Sequence, residues 1–216
     1  MVQKMPFRIG ADASCSDGAC GQVSRIIVNP VAREVTHLVV EPKHRNGPGR
    51  LIPADLAEAP TGQIRLRCTL AEFQAFRPAQ ETEVVPDLDP TGHAHSGEQR
   101  QYRMTGGLVL PVRGPGAPEA PQEVTVHSVP FGEVEVHREL TVLATDGEIG
   151  QVKGLVVEPG HHVTHVLLQK GHMWGHQEVA IPIGAVTKIG TLLIQLSLTK
   201  HQVKGLPSVD IDHPAR

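Results

Sequence analysis

A mainly β protein is what this sequence predicts, and three observations lead there. Aromatic residues are only 3% of the chain, so Val, Ile and Leu must fill the core, and β-branched side chains suit pleated strands. The 22 Gly and 18 Pro punctuate the chain so closely that no stretch sustains a helical periodicity. Finally, one string of short apolar runs bounded by turn residues is written twice, in the same order.

The elements can be read by laying the two copies over one another with a shift of about 129 residues. "DGACGQVSRIIVNP" (17–30) meets "DGEIGQVKGLVVEP" (146–159). Asp17-Gly18 and Asp146-Gly147 read as hairpin turns, and an apolar strand follows each, ended by Asn29-Pro30 or Glu158-Pro159. Val35-Thr36-His37 then meets Val163-Thr164-His165, opening a second apolar strand. A loop rich in Gly and His leads to "RLIP" (50–53) or "VAIP" (179–182). Last, "IRLRCTLAEF" (64–73) meets "IQLSLTKHQV" (194–203), a strand running into Thr69…Glu72 or Thr199…Gln202. Both are capping boxes, so each copy closes with a short helix.

Five or six short strands in so few residues suggest a small closed barrel, present twice by internal duplication. The first barrel is assigned to 1–78 and the second to 133–216, and each is expected to fold by itself. Residues 79–132 between them read as an acidic, Pro/Gly-rich linker. Across 79–136 there are seven Pro and seven Gly, too many for a regular domain. "EVTVHSVPFGEVEV" (123–136) alternates well enough to be a strand docked on one barrel, so the linker is partly ordered.

Formal charge is −3, distributed unevenly. Residues 1–78 hold 10 Lys+Arg against 7 Asp+Glu, 79–136 hold 3 against 9, and 137–216 hold 7 against 7. With no basic stripe interleaved with aromatics, direct binding of nucleic acid is not expected. The N-terminal "MVQKMPFRIG" has no signal-peptide core and no apolar run approaches a membrane span, which predicts a soluble, cytoplasmic protein. Three cysteines without framework spacing fit a reducing compartment.

The order DG-x-x-G-x-V, apolar strand, Pro, Val-Thr-His with a second apolar strand, Gly-containing loop, Ile-Pro and closing strand resembles the PRC-barrel family. That family includes the cytoplasmic barrel of the photosynthetic reaction-centre H subunit and the C-terminal barrel of the 16S rRNA processing factor. Residues 137–207 carry the better match, and the two copies cover about two-thirds of the chain. The resemblance implies tandem PRC-type barrels with varied roles and no shared catalytic motif.

The residues with chemistry to offer divide into four groups. His37 and His165 occupy equivalent places in different copies, so a shared metal is not expected. Each imidazole should bond a backbone or carboxylate group at a strand end. His161, His162, His165, His172 and His176 crowd the second copy, and four imidazoles could satisfy zinc. Cysteine and carboxylate are absent at ligand spacing, so no metal is assigned, and the cluster reads as a polar, pH-responsive loop. Cys15 and Cys20 flank Asp17-Gly18 and would face each other across the hairpin, open to a disulfide or redox switch. The second copy has Ala144 and Ile149 there, which favours plain buried thiols, as Leu198 does for Cys68. The only tryptophan, Trp174, lies with Met173 between Gly171 and Gly175. It either caps its own barrel or, with His172 and His176, anchors a protein partner or a second copy.

No nucleophile motif, Cys-His arrangement with an orienting acid or phosphate-binding loop occurs, and Asp87/Asp89 and Asp210/Asp212 read as solvated turns. Catalytic residues and cofactors are therefore not assigned. The expected function is non-catalytic binding or adaptor work through protein–protein contacts. The rival readings are an accessory factor in RNA processing or ribosome maturation, and a histidine- or cysteine-based metal or redox sensor.

Overall fold

The computed structural model describes residues 4–43, 48–59, 62–85, 122–170 and 178–206. These residues are mainly β, arranged as two curled seven-stranded sheets, each a half-barrel, and a two-stranded ribbon. After β1 (Met5–Arg8) come β2 (Asp12–Cys15), β3 (Gly18–Asn29), β4 (Glu34–Glu41), β5 (Arg50–Pro53), β6 (Ala57–Glu58), β7 (Ile64–Leu66) and helix α1 (Leu70–Ala75). The ribbon pairs β8 (Gln80–Val85) with β9 (Gln122–His127). Then follow β10 (Val134–His137), β11 (Thr141–Ala144), β12 (Gly147–Val157), β13 (Val163–Lys170), β14 (Glu178–Pro182), β15 (Val186–Ile189), β16 (Leu193–Leu196) and α2 (Lys200–Lys204).

The two sheets have the same strand order, β5-β4-β3-β2-β7-β6 and β14-β13-β12-β11-β16-β15. What completes them is unexpected. β1 pairs with β12 in the second sheet, Met5 opposite Val157 and Arg8 opposite Gly154. β10 pairs with β3 in the first, Val134 opposite Val28 and His137 opposite Arg25. The sequence boundaries give β1 to 1–78 and β10 to 133–216, and each strand crosses to the other sheet. The offset that takes Met5 to Val134 also takes Val28 to Val157, so the two crossings share one register. The stretch 123–136, read as one strand, is two: β9 pairs with β8, and β10 with β3.

The hairpin turns also differ from the sequence reading by one residue. Cys15 pairs with Gly18 and Ala144 with Gly147, so the turns are Ser16-Asp17 and Thr145-Asp146. The cause is a cap. Asp17 Oδ1 accepts the Leu70 N–H and Asp146 Oδ1 the Lys200 N–H, each at 2.8 Å, at the first residue of α1 and α2. A helix start leaves such donors without intrahelical partners. Thr69 with Glu72 and Thr199 with Gln202 complete the expected capping boxes. Just beyond each turn a bulge requires glycine. Gly21 has φ 153° and a Cβ there would lie 2.2 Å from Glu41 O; Gly150 has φ 154°, with Gln169 O at 2.4 Å.

One continuous apolar cluster runs through both halves. It includes Ile26, Val28 and Val136 under the first sheet and Phe7, Leu155 and Val157 under the second. Phe7 and Val136, the inward residues of the crossing strands, are fully buried. Burying such a side chain stabilises by roughly 1.5–3 kcal/mol. The crossing strands therefore carry core side chains into the opposite half as well as backbone hydrogen bonds.

Candidate binding cleft

The repeated Thr-His pair marks a bulge. Ile27 pairs with His37 and Val28 with Val35, which leaves Thr36 unpaired, and Thr164 is left out in the same way between Val156–His165 and Val157–Val163. The threonine hydroxyl supplies a local donor. Thr164 Oγ1 donates to Val156 O at 3.0 Å, and Thr36 Oγ1 donates to Glu133 Oε2 at 2.6 Å. Having given its one proton, each hydroxyl accepts from the next imidazole, His37 or His165 Nδ1, at 3.1 Å. The neighbouring threonine is thus a partner of each imidazole, and His37 Nδ1 also has the Glu133 carboxylate 3.8 Å away, a partner of the expected kind. Burial, aided by the charge of Lys4, holds the His165 pKa below the ordinary imidazole value.

The other described histidines are dispersed. His161 has a left-handed backbone, φ 64°, and stacks on Phe7 with ring centroids 6.3 Å apart. His162 Nδ1 lies 3.1 Å from Glu34 Oε1 of the other half. His172, Met173, Trp174 and His176 lie outside the described residues, in the connection between β13 and β14. Among the described residues, no group of three or more His, Cys, Asp or Glu is arranged to hold a metal ion.

The three thiols gather, in a pattern the hairpin reading did not give. The bulge in β3 carries Cys20 out of register with Cys15, because Ser14 pairs with Ala19 and Ala13 with Gly21. Cys15 Sγ has Cys68 Sγ at 3.8 Å and keeps a side-chain contact with Cys20, and all three cysteines are buried and unbridged. Burial, with Cys20 alongside, pushes the Cys15 thiol up to about 12; burial takes Cys68 to about 11 and raises Cys20 as well. Protonated thiols are poor nucleophiles and metal ligands.

A polar cleft of about 390 Å³ opens where the ribbon and β10 meet the first sheet, lined in part by Arg25, Glu41, Gln80, His127, Glu135 and Glu139. Arg25 is its centre, with only 7% of its side chain exposed. Its Nη2 donates to Glu41 Oε1 at 3.0 Å, and its Nε faces Glu135 Oε1 at 3.0 Å. Nη1 is 3.0 Å from His127 Nδ1, which lies 2.9 Å from Glu135 Oε2. Nδ1 can donate to the carboxylate or accept from the guanidinium, not both, so the tautomer decides which of the two contacts is a hydrogen bond. A buried arginine is retained only where carboxylates neutralise it, and here strands β4 and β10 each bring one.

None of these cleft residues stood out in the sequence. A signal was present all the same: in the overlay of the two halves, Arg25 falls opposite Gly154 inside an otherwise matching apolar strand. A charge in such a strand needs partners from the strands packed beside it. No described helix is long and apolar enough to cross a membrane. No family model matches the chain, and no curated protein matches it.

Proposed function

We propose that the chain is a non-catalytic binding protein, built from two PRC-type barrels that arose by internal duplication and working in the cytoplasm as an adaptor. Its contact residues are taken to be the cleft around Arg25 and, from the sequence alone, Trp174 with its neighbours Met173, His172 and His176. The observation that supports this reading is the occupation of the chemically capable side chains. Asp17 and Asp146 cap helices, Thr36 and Thr164 with their histidines hold bulges, and the thiols sit protonated in the core. The open polar cleft, by contrast, is lined by charges already fixed by one another, which is the kind of rigid, preorganised surface that suits recognition.

The test uses the immobilised full chain and its Trp174→Ala variant to capture proteins from native extract. One protein retained in near-equimolar amount by the parent and weakened about thirtyfold by the variant is the expected result, the loss of an aromatic hot spot worth about 2 kcal/mol. Retention of RNA, or identical capture by both baits, would overturn it.

A further inference from the structure

The interface between the two halves is built so that a second copy of the chain could supply it. β1 adds to β12 and β10 to β3 in matching register. At the centre, Val35 N donates to His161 O at 2.9 Å and Val163 N to Arg33 O at 2.8 Å, reciprocal bonds flanking the Glu34–His162 bridge. Such reciprocity is the mark of a two-fold, self-complementary contact. Only one covalent connection ties the halves together. β8 ends the first half and β9 begins the second, with Val85 opposite Gln122, so residues 86–121 are the tether. Thirty-six residues reach up to roughly 120 Å when extended, ample to cross from one molecule to another.

We propose that two copies of this chain form an interlocked dimer. Residues 4–85 of each copy pair with 122–206 of the other, giving two lobes with the same strand pairings as the monomer. The ribbon is then made between chains, and only the tethers cross. In dilute solution the tethered half wins by its high effective concentration; in concentrated folding mixtures the half from a second copy competes. Exchange between the two forms requires pulling Phe7 and Val136 out of the core, so each form, once folded, persists. This inference rests on the crossing strands and is independent of the binding role.

Two variants, each broken in one crossing strand, provide the test. Phe7→Asp and Val136→Asp place a carboxylate at fully buried sites, in β1 and β10 respectively. Neither should refold alone. In a mixed interlocked dimer one lobe receives both lesions and the other receives neither. Co-refolding should therefore restore about half of the protease-resistant β structure, in particles of twice the monomer mass. No rescue, with both variants unfolded alone, overturns the proposal. The parent chain supplies an arm that holds even where a variant folds by itself. Refolded concentrated and then diluted, it should keep a dimer fraction by light scattering that a dilute refold lacks. Monomer under both conditions, or a dimer that dissociates at once on dilution, overturns the inference in favour of a closed chain or an ordinary surface contact.

Discussion

Arg25 and Gly154 occupy the same place in the two sheets, each opposite the last residue of a crossing strand, His137 or Arg8. At Gly154 the crossing strand lies so close that a Cβ would sit 2.2 Å from Phe7 O. At Arg25 the same pairing accommodates a long buried side chain, because Glu135 of the crossing strand and Glu41 of β4 hold its charge. The surrounding residues follow suit: Glu135 answers to Pro6, and Glu41 to Gln169, neither of which carries a charge to neutralise a guanidinium. One topology is thus fastened in two ways, by close backbone packing with a partly exposed Arg8–Glu178 ion pair at 3.2 Å in the second half and by a buried ion cluster in the first. The ion cluster lines a charged cleft at the surface, so the halves are alike in fold and unlike in what these two equivalent places present.

The comparison breaks most completely if the halves are separated. Residues 1–90 alone leave Arg25–Val28 without β10, and 133–216 alone leave Gly154–Val157 without β1. Each fragment also loses a fully buried core residue, Val136 or Phe7. Domains of this size are held by only about 5–15 kcal/mol in total. Each fragment should therefore lack a cooperative thermal transition by circular dichroism, and the two co-expressed should recover one. A sharp melt from either fragment alone would show that the crossing strand is dispensable.

The two fastenings can then be compared directly. Gly154→Val forces side-chain atoms into the β1 backbone and should cost about 3 kcal/mol or more in chemical denaturation. Arg25→Met leaves Glu41 and Glu135 facing each other without their cation. Losing one partner of a fully buried pair costs about 3–5 kcal/mol, but Glu41 keeps 41% of its side chain exposed, so about 2–3 kcal/mol is expected. Adding Glu135→Gln to Arg25→Met should return part of that loss, whereas no change at Glu135 should relieve Gly154→Val. Equal effects of Glu135→Gln in both backgrounds would dissolve the distinction between the fastenings.

What the sequence disclosed, and what it did not, follows the range of the interactions. Local patterns were legible: both capping boxes form, and the apolar runs around Ile26, Leu38, Leu155 and Val166 are buried strands. The turns slipped by one residue because Asp17 and Asp146 answer to helices more than fifty residues away. The crossing strands were illegible for a stronger reason. "MPFR" and "VEVH" carry the same alternation whichever sheet they join, and only packing across the whole chain decides. The Arg25 cluster was hidden likewise, since its members come from β3, β4, β9 and β10. Trp174 and its neighbours are known here from sequence alone.

A smaller difference between the halves is chemical. The first half gathers Cys15, Cys20 and Cys68 where the second has Ala144, Ile149 and Leu198. All three thiols should resist a disulfide reagent in the native protein near pH 8 and react together on unfolding. Burial raises their folded pKa values, to about 12 at Cys15 and about 11 at Cys68, above the ordinary thiol value of 9.0. The unfolded chain releases these protons first, so their contribution is intact below pH about 9 and declines as pH rises beyond it. Replacing Cys15 with Ala and Cys68 with Leu, as in the second half, should flatten that alkaline decline. Rapid labelling of one thiol in the native state would instead identify an open site.

The smallest effect expected separates the two Thr-His bulges. His37 Nδ1 has Glu133 3.8 Å away, whereas His165 is held below the ordinary imidazole pKa by burial and by Lys4. A histidine whose folded pKa is depressed binds fewer protons folded than unfolded as acid is added. Its penalty is absent above the unfolded value, about 6.5, and grows as pH falls from there toward the lower folded value. Stability should therefore decline between pH 7 and pH 5, before most carboxylates titrate. His165→Gln removes the titrating ring and keeps a side chain able to bond Thr164, so it should lose part of that decline while changing little at pH 8. His37→Gln, at the equivalent bulge, controls for the loss of the imidazole–threonine contact itself. The readout is the denaturation midpoint of the parent and the two variants across that pH range. An unchanged acid slope in His165→Gln would mean that burial at this bulge imposes no proton-linked cost, and that the two bulges are equivalent in charge as well as in shape.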